Sequence, residues 1–152
     1  QPEQSELLYE SALLAEKLGR HEAMEASLRK LIRLKPEHAH AYNALGYSFA
    51  ERNQRLEEAE QLVLKALQLS PDDPFIIDSM GWVLYRKGDN QGALAHLQRA
   101  FSIRPDPEIA AHLGEVLWAL GRRDEAKRIW QEAAKAHPGN EVLAEVIKRF
   151  AP

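Results

Sequence analysis

The stretch that decides the fold runs from Pro74 to Asp106 and has the sequence PFIIDSMGWVLYRKGDNQGALAHLQRAFSIRPD. It contains two amphipathic segments separated by the polar turn Gly88-Asp89-Asn90. Glycine after an amphipathic segment is typical of a helix C-terminus, because glycine adopts a positive φ without a clash at Cβ. Proline cannot continue a helix, so Pro105 ends the second segment. The stretch therefore predicts two helices joined by a tight turn.

The same pattern recurs along the chain. Prolines in matching contexts stand at positions 36, 71, 105 and 138, at spacings of 35, 34 and 33 residues. A period of this size is typical of a helical repeat protein. No segment alternates apolar and polar residues over enough length to predict a strand. We predict nine helices, near residues 4–18, 21–34, 38–52, 55–69, 73–87, 90–103, 107–120, 123–136 and 140–150.

Small residues recur at two fixed phases of the repeat. Gly46, Gly81 and Gly114 fall in the middle of predicted helices, where glycine costs roughly 1 kcal/mol relative to alanine. A cost repeated at one period needs a reason, and a close approach of two helix backbones supplies it. Alanines recur at the second phase, where they would let the partner helix come near: Ala59, Ala93 and Ala126. The pattern predicts an α-solenoid.

These residues resemble the tetratricopeptide repeat, whose pattern is W-x2-L-G-x2-Y, then A-x3-F, then P. The residues of the third repeat at pattern positions are Ile77, Met80, Gly81, Leu84, Ala93, Leu97, Ala100 and Pro105. The first repeat departs most from the pattern. The resemblance implies an all-α, right-handed α-solenoid of four tandem repeats and a C-terminal capping helix. The four repeats are expected at 5–38, 39–73, 74–106 and 107–140. The capping helix is expected at 141–150, a segment that is alternatively the truncated start of a fifth repeat.

Composition excludes several classes of protein. The 152 residues carry a net charge of −3, whereas a nucleic-acid-binding domain typically carries an excess of positive charge. There is no cysteine, so disulfides and thiolate metal sites are excluded, and no window approaches 18 consecutive apolar residues. The first residue is Gln1 rather than Met, so we expect a fragment of a longer protein.

The resemblance also predicts where a partner binds. In this family the first helix of each repeat lines the inner face, and positions 2, 5, 9 and 12 of the repeat point inward. The predicted peptide- or protein-binding residues are Tyr9, Leu13, His40, Asn43, Tyr47, Phe75, Asp78, Trp82, Tyr85, Glu115 and Trp118. Aromatic side chains of this kind form binding hot spots, although some of them could instead pack against neighbouring repeats.

The inward positions also predict the chemistry of the ligand. They include Asn43 but neither lysine nor arginine, so we do not expect the carboxylate clamp of the chaperone-binding members of the family. The inward set is acidic and aromatic, and it suits a neutral or basic, partly apolar segment.

Catalysis is not expected. His38 and His40 are two residues apart and diverge on a helix, so they make a poor metal pair. No glycine-rich phosphate loop or nucleophile elbow is present, and we predict no catalytic residue, metal or cofactor. The one basic cluster, Arg122 to Arg128, has no interleaved aromatic residues for base stacking, which makes RNA binding the weaker alternative.

The sequence therefore predicts a non-catalytic interaction scaffold or adaptor that binds a partner segment in the concave groove. The alternative is a structural spacer or self-association module without a groove ligand. An accessory segment of an enzyme also stays open, because the flanking chain is absent from the sequence.

A narrower resemblance concerns the segments 77–85 and 105–118. They look like the C-terminal repeats of proteobacterial outer-membrane lipoproteins, some of which are adaptors for a periplasmic carboxyl-terminal processing protease and deliver cell-wall hydrolases to it. The resemblance implies a periplasmic, lipid-anchored parent protein. It implies the protease or its substrates as partners, without indicating which of them these repeats would hold.

Overall fold

The computed structural model describes residues 2–152, with side chains from residue 4 onward. Over that range the chain forms nine helices and no strand, which confirms the predicted all-α fold. The helices are α1 Pro2–Lys17, α2 His21–Leu34, α3 Ala39–Glu51, α4 Leu56–Leu69, α5 Pro74–Arg86, α6 Asn90–Ile103, α7 Pro107–Ala119, α8 Arg123–Ala136 and α9 Glu141–Phe150.

The helix ends follow the chemistry of capping. Asp73 and Asp106 accept hydrogen bonds from first-turn N–H groups of α5 and α7, and proline occupies the first position of both helices. Gly88 ends the turn after α5 at φ 94°, in the left-handed region. Asn53 takes the same region at φ 55°, since asparagine tolerates it better than most residues.

The chain divides into two compact units. Unit 1 extends to Asp72 and contains α1 to α4, in which each helix packs against the next. Its core is formed by fully buried side chains of all four helices, including Ala12, Met24, Leu28, Leu31, Leu45, Phe49 and Val63. Burial of these apolar side chains is the main stabilising contribution in the unit.

Unit 2 covers Asp73 to Pro152 and contains α5 to α9. Here α7 packs against α5, α6, α8 and α9, and α9 also packs against α8. The core includes the fully buried side chains of Leu97, Leu117, Trp130 and Leu143. The terminal helix α9 contributes Leu143 and Val146 to this core.

Close helix approach explains the periodic glycines. A Cβ atom on Gly46 would lie 2.9 Å from the carbonyl oxygen of Ala59 and 2.7 Å from Cγ2 of Val63. No side chain fits in that space without moving the α4 backbone. The same phase is occupied by Gly81 opposite Leu97 and by Gly114 opposite Trp130.

Candidate functional site

The predicted binding residues of unit 1 lie on α1 and α3. Leu13 is 44% exposed and His40 is also exposed, whereas Tyr9 and Tyr47 are half-buried. The Tyr47 hydroxyl donates to Glu51 Oε2 at 3.0 Å, and the Tyr9 ring lies 5.3 Å from the ring of His38. These side chains are accessible in part, and their contacts restrict the rotamers that they can adopt.

Asn43 is half-buried on α3. Its Oδ1 atom is buried and has no hydrogen-bond donor among the described residues. A buried amide oxygen that accepts no hydrogen bond destabilises the folded chain, so a hydrogen bond donated to it by another molecule would be favourable.

The six predicted residues of unit 2 fall into two groups. Phe75 is 38% exposed, and Tyr85 and Trp118 are half-buried. Asp78, Trp82 and Glu115 are buried, with exposures of 5%, 4% and 7%. This placement differs from the expectation that all six face an open groove, because the buried three are engaged by side chains of neighbouring helices in the same unit. We call the accessible group, Phe75, Tyr85 and Trp118, the first-helix surface.

Asp78 and Trp82 hold α5 against α7 through His112. The Asp78 carboxylate accepts a hydrogen bond from His112 Nδ1, with distances of 2.9 and 3.1 Å to its two oxygens. The Trp82 ring stacks on the same imidazole, with ring centroids 4.1 Å apart. Asp78 and Trp82 thus join two repeats in the place where contact with a partner was expected.

Glu115 joins three helices of unit 2. Its Oε2 accepts a hydrogen bond from the Tyr85 hydroxyl of α5 at 3.1 Å, and its Oε1 accepts from Arg149 Nη2 of α9 at 3.1 Å. Burial, the charge of Glu115 and the hydrogen bond to it raise the pKa of Tyr85 from 10.0 to about 12. The hydroxyl therefore remains a hydrogen-bond donor throughout the neutral range.

The raised pKa of Tyr85 predicts a loss of stability in alkali. In the unfolded chain tyrosine ionises near pH 10, whereas the folded chain keeps the Tyr85 proton until about pH 12. The stabilisation is complete below pH 10 and is lost as the pH rises towards 12. Tyr85→Phe should therefore lose less unfolding free energy than the parent chain between about pH 9.5 and about pH 11.5, as measured by urea titration. Equal losses in both chains would contradict this environment for Tyr85.

Trp118 lies at the edge of an aromatic cluster. Its ring centroid is 5.9 Å from both Trp130 and Phe150, and the guanidinium of Arg123 lies 4.8 Å above it. The packed rings hold Trp118 in one position while part of its surface remains exposed. A rigid, half-exposed tryptophan of this kind is a suitable anchor for a partner.

Burial reduces the negative charge that was predicted for the inner face of unit 2. Both carboxylates of the predicted set are buried and hydrogen-bonded, as described above. Arginines lie nearby: Arg86 is stacked 5.0 Å from the Trp82 ring centroid, and Arg149 bonds Glu115. Arginines thus lie beside aromatic residues of this face, and the exposed Glu108 at position 2 of the fourth repeat adds a negative charge.

Sequence reasoning missed His112, Arg86 and Arg149 as members of this face. His112 lies 34 residues after Asp78, and Arg149 lies 34 residues after Glu115, so both pairs join equivalent parts of successive repeats. Continuing the inward phase into α9 places Arg149 at position 9 of that helix. The repeat period was therefore sufficient to predict that Arg149 lies on this face.

No three His, Asp or Glu side chains from the described part of the chain lie close enough together to hold a metal ion. Within residues 2–152, no helix has both the length and the apolar character to cross a membrane.

Comparison with known proteins places these features in a family. Two family models, both described as tetratricopeptide repeat, match residues 9–74 and 84–148. A TPR repeat-containing protein of Pseudomonas aeruginosa is 50% identical over 114 residues, which are 75% of this chain and 19% of that protein. The chain thus spans about a fifth of the length of this relative.

Solved structures agree on the fold. A thermophilic TPR protein of Thermus thermophilus has a TM-score of 0.85 at 25% identity, over 99% of this chain and 81% of its own. PilF of Pseudomonas aeruginosa has a TM-score of 0.79 at 20% identity, over 97% of this chain and 69% of its own. The O-GlcNAc transferase of Thermobaculum terrenum has a TM-score of 0.81 at 22% identity, over 90% and 26%. The last two likenesses show the fold alone.

Proposed function

Because this chain belongs to the tetratricopeptide repeat family, we propose that it is a non-catalytic scaffold that binds a segment of a partner protein on its first helices. Proteins of this family generally mediate protein–protein interactions. The bound segment is partly apolar, and the first-helix surface of unit 2 supplies the anchors for it. In unit 1, Leu13, His40 and Tyr47 are at least partly accessible on the first helices and form a separate set of candidate contacts.

One observation carries the proposal: Phe75, Tyr85 and Trp118 remain accessible although each is held in place by a neighbour. Phe75 lies under the Arg104 guanidinium at 5.6 Å, Tyr85 bonds Glu115, and Trp118 is stacked in its aromatic cluster. Such side chains lose little conformational entropy on binding, so less of the free energy gained by burying them is spent on ordering them.

The partner that we propose is a carboxyl-terminal processing protease or one of its substrates, with the chain acting as an adaptor in a periplasmic, outer-membrane-anchored parent protein. This narrower proposal rests on the resemblance of segments 77–85 and 105–118. The chain spans about a fifth of the length of its Pseudomonas relative. Binding of the purified protease by the chain, measured by calorimetry, would support it, whereas absence of binding to both protease and substrates would contradict it.

The alternative function is a spacer or self-association module. It predicts an apparent mass that rises with protein concentration in sedimentation experiments. It also predicts that no peptide requires the first-helix surface for binding. The scaffold proposal predicts such a peptide.

The scaffold proposal predicts the effect of shortening the anchors. Peptides that bind the parent chain would be selected from a random phage-displayed library and measured by fluorescence anisotropy. Phe75→Ala and Trp118→Ala should each weaken binding by about tenfold or more, the effect expected at a hot spot. Ile103→Ala is the matched control, because Ile103 is 46% exposed on the second helix α6. Equal affinity of all variants, with helicity unchanged, would place the site elsewhere.

A further inference from the structure

Unit 1 contains a cleft of about 690 Å³ on the side where its helix-to-helix turns lie. One wall is the end of the α1–α2 turn with the first turn of α2, and the other is the α3–α4 turn. Four basic side chains line it: Arg20, His21, Arg52 and Arg55. None of these residues belongs to the predicted binding set.

Two of the arginines have no carboxylate partner within the described part of the chain. Arg52 donates from Nη1 to the Gln54 side-chain oxygen at 3.0 Å, and from Nε and Nη2 to Ser48 Oγ at 3.4 and 3.3 Å, so all its acceptors are neutral. Arg20 is exposed and has no acidic partner among the described residues. Glu22 also lines the cleft, and its negative charge partly repels an anionic ligand. The two arginines outnumber this one carboxylate.

The other carboxylate of the cleft is already neutralised. Glu25 accepts hydrogen bonds from Arg29 at 2.8 Å and from Arg55 at 3.0 Å. Burial raises the pKa of Glu25, but the hydrogen bonds from Arg29 and Arg55 outweigh burial and hold the pKa below its usual value. Glu25 therefore stays ionised and orients Arg55, and it leaves Arg52 and Arg20 available.

The aromatic ring of Phe49 holds two of the four basic side chains in place. Phe49 is almost completely buried, and the guanidinium carbons of Arg52 and Arg55 lie 5.6 and 5.1 Å from the centre of its ring. Arginine stacked on a ring is pre-organised, so it loses less conformational entropy when it binds an oxyanion. The first turn of α2 adds N–H groups that no side chain caps, since its N-cap is Arg20.

We propose that this turn-side cleft binds an acidic segment of a partner protein, with its carboxylates on Arg20 and Arg52. Hydrogen bonds from a guanidinium to a carboxylate are charge-assisted, so they are stronger than the bonds that Arg52 makes to its neutral acceptors. The volume is larger than one oxyanion needs, and the two arginines lie on opposite walls, so a segment with several carboxylates fits better than a single small ion. The site uses none of the residues of the first-helix surface and goes beyond the function proposed above.

The test uses a fluorescent hexaglutamate peptide as the probe, measured by anisotropy at low and physiological salt. Arg20→Gln with Arg52→Gln should weaken binding by about a hundredfold, and Arg20→Gln alone by about tenfold, since each loses one charged pair. Arg33→Gln is the matched control: it removes the same charge from an exposed position of α2 outside the cleft, and its affinity should change by less than about twofold. Arg20→Gln keeps the test valid even if the Arg52 change disturbs the turn.

Equal weakening by Arg33→Gln would overturn the proposal, because net charge rather than the cleft would then determine binding. Displacement of the probe by inorganic phosphate at a lower concentration than by free glutamate would also overturn it and assign a phosphate ligand. Peptides selected on the first-helix surface should bind the double variant as they bind the parent chain. A failure of the cleft is thereby distinguishable from a failure of the scaffold proposal.

Discussion

Gly114→Ala should destabilise the chain by about 3 kcal/mol or more, although alanine normally stabilises a helix interior by about 1 kcal/mol relative to glycine. An alanine Cβ at this position would overlap Nε1 and Cε2 of the Trp130 indole and lie 2.7 Å from its Cδ1. Trp130 cannot move aside, because it is completely buried and its Nε1 donates to the Ala111 carbonyl at 3.3 Å. Chemical denaturation followed by circular dichroism measures the loss.

A double-mutant cycle isolates the cause of this effect. In a Trp130→Leu background the smaller side chain leaves space for the new methyl group, so Gly114→Ala should cost less than about 1 kcal/mol there. The coupling between the two positions would then exceed about 2 kcal/mol. A cost that is the same in both backgrounds would show that the α7–α8 approach does not require glycine.

His112→Phe should destabilise the chain by about 3 kcal/mol, because it leaves the buried Asp78 carboxylate without its hydrogen-bond donor. Phenylalanine keeps a ring next to Trp82 but donates no hydrogen bond to Asp78. The Asp78 carboxylate, 5% exposed, would then have no donor among the described residues. The unfolding free energy near neutral pH, from urea titration, provides the measurement.

The double variant Asp78→Leu with His112→Phe should recover most of that loss, because it leaves no buried carboxylate to satisfy. Asp78→Leu alone should be less costly than His112→Phe, since a neutral imidazole is easier to bury than a carboxylate. A double variant no more stable than His112→Phe would mean that the packing of the imidazole, rather than its bond to Asp78, holds α5 and α7 together.

The helices were predictable from local chemistry. Proline at 105 and glycine at 88 determine where backbone dihedrals change, and these constraints act within a few residues of sequence. The close approach at Gly114 was also predictable, because a periodic glycine has no other physical reason inside a helix. Local constraints of this kind do not depend on how side chains of distant repeats pair.

The exposure of the inward residues was not predictable in the same way. Helical phase places Asp78, Trp82 and Glu115 on the inner side of their helices, but it does not show that His112 and Arg149 reach them. Whether such a residue faces solvent or bonds its neighbour depends on the side chain one repeat further along. Asp78 and Glu115 each bond a residue 34 positions further along, and Trp82 stacks on His112, so these three side chains make contacts within unit 2.

The central claim is that partner segments lie on the first helices, and photo-crosslinking tests it most directly. The photoreactive residue p-benzoylphenylalanine would replace Phe75 on α5 or Ile103 on α6, and a selected peptide would be irradiated with each chain. Both positions are exposed, at 38% and 46%, so access alone does not favour either. We expect covalent capture at position 75 and little at position 103. Capture at 103 without capture at 75 would contradict the account.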